Sequence, residues 1–180
     1  DKSKKIQKKD LFFAMSHGVH RGILKRGKHD EREKILKKLE HKLVDLDYDF
    51  FGHNNIEPLW ADHFLNSISN YNMGLNLSRG KPLKYYSSDR IVQIIGNGLL
   101  CFLHQDTKLF KIIPKDCAIY YNDLDDLCTK IFFYKKKIIQ MKKIASNGKK
   151  FYSKNLNSNI VSQYFIDKVF KLKNKYKYIW

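Results

Sequence analysis

Apolar positions switch between two spacings along this chain. Leu11, Phe12, Phe13, Ala14 and Met15 form an unbroken apolar run, which suits a strand buried on both faces. Behind it, Ile35, Leu36, Leu39 and Leu43 repeat at helical spacing. Asp30 is well suited to cap that helix, with Glu31 and Glu33 in its first turn, so a helix is predicted over residues 30–43. Residues 44–51 alternate like a second strand that ends at Gly52. Trp60, Phe64, Leu65 and Ile68 predict a second helix after Pro58, and residues 71–77 a third strand. A basic loop follows over 78–86. Ser87 or Ser88 is expected to cap a third helix that carries Ile91, Ile94 and Ile95 and stops at Gly96-Asn97-Gly98. A fourth strand is predicted at 99–103, a short helix near 107–112 and a fifth strand at 117–121. The remainder reads as helices over 124–134, over 137–145 with a stop at Asn147-Gly148, and over 159–172.

Strands alternating with helices imply right-handed crossovers and an α/β architecture: a mostly parallel sheet with helices on both faces and a C-terminal helical extension. Residues 1–10 read as a charged lead-in, 11–172 as the domain and 173–180 as a basic aromatic tail. In such sheets ligands bind at the carboxyl ends of the strands, near the point where strand order reverses. That rule assigns the loops at 17–21, 52–58 and 78–88 to one rim.

Composition narrows the function classes. The 180 residues are 43% apolar and 14% aromatic, enough to build a core and not the profile of a disordered chain. No apolar run approaches the roughly 18 residues of a membrane span, and residues 1–9 lack a signal peptide's apolar stretch. Cys101, Cys117 and Cys128 are an odd set with no close pair, so neither a disulfide framework nor a zinc ribbon is indicated. Cys101 and Cys117 read as core thiols, and a cytoplasmic setting fits. Lys and Arg outnumber Asp and Glu by 35 to 18, a net charge of +17. Only five of the 35 are Arg (Arg21, Arg26, Arg32, Arg79 and Arg90), so most of this charge reads as a lysine-rich solvated surface.

Chemistry concentrates on the predicted rim. Ser78-Arg79-Gly80-Lys81-Pro82-Leu83-Lys84 places three cations just before a helix N-terminus. Free N–H groups, the helix dipole and adjacent cations together make a phosphate cradle. The first loop offers His17, His20, Arg21, Lys25, Arg26 and Lys28, with Gly18, Gly22 and Gly27 permitting close approach of backbone to a ligand. His17 is suited to hydrogen-bond a phosphate or sugar hydroxyl. No cysteine or carboxylate stands at ligand spacing from His17 and His20, so no metal is expected. There is no G-x-G-x-x-G, P-loop or G-x-S-x-G motif. Asp45, Asp47 and Asp49 along a strand, and Asp123, Asp125 and Asp126 at a helix start, read as structural. Arg90 has two readings, a pair with Asp89 or a phosphate contact.

Three segments carry a family likeness: His17-Gly18-Val19-His20-Arg21-Gly22, Met73-Gly74-Leu75-Asn76-Leu77-Ser78-Arg79-Gly80, and the run from Tyr86 through Arg90 and Gln93 to Gly98. With Tyr120-Tyr121-Asn122-Asp123-Leu124 and Ala145-Ser146-Asn147-Gly148, their order resembles the group 1 glycosyltransferases, nearest the branch related to spore-maturation-type domains. The resemblance implies a Rossmann-like three-layer domain, the C-terminal half of a GT-B fold, that binds a nucleotide-diphosphate sugar. It implies glycosyl transfer to a hydroxyl acceptor on a glycan, lipid or protein, with no cofactor beyond the donor. By position, His17, Gly18, Arg21, Lys25, Arg79, Lys81, Ser87, Ser88 and Asp89 fall in the donor and diphosphate site. Gln93 takes the ribose-binding position, where the family often has a glutamate; the partner glutamate eight positions earlier falls at Tyr85. An N-terminal acceptor domain or a partner subunit is implied, so the chain is expected to be a fragment or a partner-dependent half.

The rival reading is a non-catalytic nucleic-acid-binding module. It rests on the net charge and on aromatics interleaved with lysine in Phe132-Phe133-Tyr134-Lys135-Lys136-Lys137 and Lys175-Tyr176-Lys177-Tyr178. Low arginine and the lack of a known binding motif count against it, so nucleic acid is not the expected partner. The tail has two readings of its own: a frayed terminus, or a basic aromatic patch in peripheral contact with an anionic membrane on its inner face.

Overall fold

The computed structural model describes residues 8–16 and 30–179. Five strands, β1 (Lys9–Ala14), β2 (Tyr48–Phe51), β3 (Tyr71–Leu75), β4 (Leu100–His104) and β5 (Ile119–Tyr121), form one sheet in the order β2-β1-β3-β4-β5. Every pairing is parallel. β1 is an interior strand, with Leu11 opposite both Tyr48 and Met73, which is why it reads as a continuous apolar run. The chain turns one way from β1 to β2 and the other way to β3, so strand order reverses between β1 and β3.

Helices α1 (Glu31–Lys42), α2 (Ala61–Ile68), α3 (Asp89–Gly96), α4 (Leu124–Lys136) and α5 (Ile138–Asn155) cover the two faces, and α6 (Ser158–Val169) follows them without joining either core cluster. Side-chain alternation along β1 divides the core. Leu11 and Phe13 join Leu36, Leu39, Phe50 and Leu127 in one cluster, beneath α1 and α4. Phe12 and Ala14 join Ile68, Ile91, Ile94 and Leu103 in the other, beneath α2 and α3. Cys101, Cys117 and Cys128 are all buried free thiols.

Several elements depart from the sequence expectation. Residues 44–47 are a turn rather than strand: Leu46 N–H closes on the Leu43 carbonyl, Asp47 N–H is held by the Asp10 carboxylate, and Val44 is 81% exposed. Pairing therefore begins only at Tyr48, and of the three alternating aspartates only Asp49 lies in a strand. Asp47 and Asp49 both pair with Lys9, a structural role as expected. The short helix expected near 107–112 is two 3₁₀ turns, Gln105–Thr107 and Leu109–Lys111, broken at Lys108 with φ of 55°. Helix α5 does not stop at Asn147-Gly148. It runs on to Asn155, because Gly148 serves close packing: a Cβ there would sit 2.4 Å from the Cys117 carbonyl oxygen.

The aromatic-lysine runs are also structural in part. Phe132 and Tyr134 pack against the first core cluster, and Lys135 Nζ bonds Asp10 at 2.8 Å and the Asp45 carbonyl at 2.6 Å. The described tail, 173–179, does not fray. It folds back onto α6, where the Asp167 carboxylate accepts hydrogen bonds from Lys175 N–H and the Tyr178 hydroxyl. Among the described residues no helix is long and apolar enough to cross a membrane.

Candidate functional site

A cavity of about 1700 Å³ opens at the carboxyl ends of β1 and β3, at the point where strand order reverses. Ala14 and Met15 at the end of β1 and Leu77 beyond β3 line it; the N-terminal turns of α1, α2 and α3 and the 78–83 loop surround it.

The α3 side is held by a polar tie. Arg90 is largely withdrawn from water, and its Nε donates to the Ala14 carbonyl at 2.9 Å. Its Nη1 donates to the Leu77 carbonyl at 3.1 Å and to Asn76 Oδ1 at 3.2 Å. One side chain thus joins the ends of β1 and β3 to the first turn of α3, with its guanidinium 4.7 Å over the Phe13 ring. Burial, then repulsion from Arg32, pushes its pKa down to about 10, so it stays protonated at neutral pH. Of the two readings of Arg90 in the sequence, the pair with Asp89 does not form: no ion pair joins them, and the Arg90 Nε and Nη1 bonds go to two carbonyls and an amide. Gly74 lets α3 approach β3 closely, since a Cβ there would lie 2.6 Å from the Ile94 side chain.

Ser88 stands at the N-cap of α3 as expected but does not cap it. Its hydroxyl donates instead to the buried Asn76 at 2.8 Å, because Asn76 Oδ1 is fixed beside it by Arg90. Among the described residues no acceptor meets the N–H groups of Asp89 and Arg90, so this helix end is open. The α1 end is closed. Asp30 accepts from Arg32 N–H at 3.0 Å, and Glu31 N–H donates to the Arg79 carbonyl at 2.8 Å. Arg32 is only 4% exposed and grips the Asp30 carboxylate with Nε and Nη2 at 2.5–3.0 Å. Burial alone would raise the Asp30 pKa, but the hydrogen bonds from Arg32 outweigh it and hold the carboxyl below its ordinary range.

Six of the residues expected in the site, Arg79, Lys81, Ser87, Ser88, Asp89 and Gln93, line this cavity. Arg79 and Lys81 are exposed and have no ion-pair partner among the described residues, unlike Arg32. His17, Gly18, Arg21 and Lys25 lie outside the described residues. Tyr85 is not in the lining; its N–H bonds the Thr107 carbonyl at 2.7 Å and its φ is 60°. The expected 52–58 rim loop is not in the lining either. It closes on itself and ties to α1, with Gly52 N–H on the Ile56 carbonyl, His53 buried and the exposed Asn54 bonded to Glu40. Its place is taken by Leu59 and Trp60 just before α2 and by Phe64 and Leu65 within it; of these, Trp60, Phe64 and Leu65 served in the sequence only to predict the helix. Arg32 and Asn76 were missed as well. Arg32 carried a signal, as one of only five arginines and in the first turn of a helix that follows a strand.

The model of the glycosyl transferase-like family matches residues 27–167 of the chain. The chain belongs to that family. Solved structures share the fold of this glycosyl transferase-like domain at low identity. An α1,3-fucosyltransferase superposes with a TM-score of 0.57 at 10% identity, over 79% of this chain and 38% of its own. Sucrose-phosphate synthase from Thermosynechococcus elongatus gives a TM-score of 0.60 at 13% identity, over 92% of this chain and 45% of its own. The domain therefore spans less than half the length of either protein. A search of the curated proteins finds no match. The parallel sheet with helices on both faces is the Rossmann-like arrangement of GT-B, group 1 glycosyltransferases.

Proposed function

We propose that this glycosyl transferase-like domain binds a nucleotide-diphosphate sugar and supports transfer of its glycosyl group to a hydroxyl acceptor held by a second domain or subunit. The observation that carries the reading is the open N-terminus of α3. Its unclaimed Asp89 and Arg90 N–H groups face a cavity at the strand-order reversal, with Arg79 and Lys81 unpaired among the described residues beside it. Such an end favours an anion, and two flexible cations add charge-assisted hydrogen bonds.

In this reading the diphosphate bridges Arg79, Lys81 and the α3 amides. The Ser87 hydroxyl serves a phosphate oxygen, while Ser88 holds Asn76 and so the shape of the cradle. Gln93, one turn further along α3, hydrogen-bonds the ribose with its amide. Asp89 carries a carboxylate, which suits sugar hydroxyls and not phosphate. By the family resemblance His17, Gly18, Arg21 and Lys25, which lie outside the described residues, also serve the donor diphosphate. In the transfer step the acceptor oxygen bonds to the anomeric carbon as the carbon–oxygen bond to the diphosphate breaks. The acceptor proton leaves to a base outside this domain, and the charge growing on the leaving diphosphate is stabilised by the same cations and amides.

Calorimetric titration with UDP, GDP, ADP and CMP tests the reading. One nucleoside diphosphate should bind, and Arg79→Ala should weaken it by about 1.5–3 kcal/mol, the range for a hydrogen bond to a charged group. Unchanged affinity in that variant removes Arg79 from the site; no binding by any diphosphate overturns the assignment.

A further inference from the structure

The open end of α3 is also reached from behind the cavity wall. Helix α5 buries Met141, Ala145 and Gly148 along one stripe, and Phe151 and Tyr152 continue that stripe at helical spacing. These two aromatics pack against the second core cluster, which holds Ile91, Ile94 and Ile95 of α3. Gly148 stands against α3 itself, since a Cβ there would lie 3.4 Å from the Ile95 side chain. One turn further on, the Tyr152 hydroxyl comes within hydrogen-bonding reach of Ser87 and close to the Asp89 carboxylate. Ser87 and Asp89 line the cavity; Tyr152 does not.

Proton direction decides what this contact does. Of the two serines ahead of α3, Ser88 gives its hydroxyl proton to Asn76, so Ser87 is the one left to donate to an anion in the cavity. A serine hydroxyl has one proton and two lone pairs. Spent on Tyr152, that proton would leave only lone pairs facing a phosphate, whose oxygens accept. Tyr152 is built to be the donor instead. Burial, together with the nearby Asp89 carboxylate, raises its pKa above the ordinary value in spite of the Ser87 contact, so the phenol keeps its proton at neutral pH. Donation then runs from Tyr152 to Ser87 to phosphate, and each hydrogen bond polarises the next. Holding an exposed hydroxyl in place before the ligand arrives also lowers the ordering cost of binding.

We infer that Tyr152 is a positioning residue for the donor diphosphate: its hydroxyl donates to Ser87 and aims the Ser87 proton at a phosphate oxygen. The inference rests on the nucleotide reading above and adds to it a group that never touches the ligand.

The test titrates the whole chain calorimetrically with whichever of UDP, GDP and ADP binds the parent, and follows the matching nucleoside by NMR. Tyr152→Phe keeps the ring and its packing and removes only the donor. It should weaken the diphosphate about three- to tenfold, the span of one neutral hydrogen bond, and leave nucleoside affinity unchanged. Ser87→Ala should weaken the diphosphate by at least as much. The double variant should bind no more weakly than Ser87→Ala alone, because Tyr152 acts only through that hydroxyl. A shared thermal unfolding midpoint without ligand checks that the variants fold. A Tyr152→Phe variant that binds the diphosphate like the parent overturns the inference. So does an equal loss of nucleoside affinity, which would mean a general change in the site. A double variant whose loss is the product of the two single losses overturns it too, since Tyr152 would then act on its own. A parent that binds none of the three diphosphates overturns the nucleotide reading and this inference with it, whereas the variants judge the inference alone.

Discussion

Arg90 makes a quantitative test of how the site is held. Replacing it by Ala removes donors from the Ala14 and Leu77 carbonyls and one of two from Asn76, which keeps Ser88. Three hydrogen bonds from a charged donor, taken at about 1.5 kcal/mol each, amount to roughly 4–5 kcal/mol. Withdrawing the charge from water works the other way: the fall in its pKa from 12.5 to about 10 corresponds to roughly 3 kcal/mol against the protonated form. The stem packed over Phe13 adds back about 1–2 kcal/mol. The net expected loss is about 3 kcal/mol, which for a chain of this length lowers the melting temperature by about 6–12 °C. Thermal unfolding followed by circular dichroism measures it. Arg90→Met, which keeps the stem, should recover only the packing part. Arg90→Lys keeps the charge but not the fork that spans two strand ends, and should fall between parent and Ala. The pKa is depressed in the folded state, so the unfolded chain holds the proton more tightly and stability would rise only as pH climbs past about 10. The difference between parent and Arg90→Ala should therefore be flat from about pH 6 to 8. A melting temperature within about 1 °C of the parent would refute the reasoning, because the hydrogen bonds would then only balance the cost of burying the charge.

Two further outcomes follow from the geometry. Asp30→Asn keeps a good helix cap but leaves Arg32 buried without its counter-charge, so about 3 kcal/mol should be lost at neutral pH. The Asp30 pKa is lowered by folding, so its contribution is complete above about pH 4 and disappears as pH falls through the folded-state value; parent and variant should converge there in acid unfolding. Gly148→Ala puts a methyl group 2.4 Å from the Cys117 carbonyl, and α5 must shift; about 1–3 kcal/mol should be lost in chemical denaturation, whereas a glycine acting only as a helix stop would give a gain on substitution.

Local information in the chain was enough for the order and type of the five strands and six helices among the described residues, since each rests on a periodicity that neighbouring residues share. It also sufficed for the caps at Asp30 and Asp123, where a carboxylate two or three residues from an amide needs no distant partner. The parallel sheet and the edge that holds the cavity followed from alternation of elements, Arg79 and Lys81 as cavity-lining residues from cations placed just before a helix on that edge, and Gln93 only from the family resemblance. What escaped was decided by contacts across long sequence separations. Ser88 looks like a cap, but its hydroxyl is drawn away by Asn76, twelve residues earlier, once Arg90 has oriented that amide. Gly148 looks like a helix stop until the Cys117 carbonyl is found against it, and the 52–58 loop is tied to α1 by the bond between Asn54 and Glu40. Trp60 and Leu65 belong to the apolar pattern that predicts α2. Only the placement of α2 beside the cavity leaves them facing open space. Periodicity tells a residue which face of its element it occupies; what that face meets depends on how the chain closes on itself.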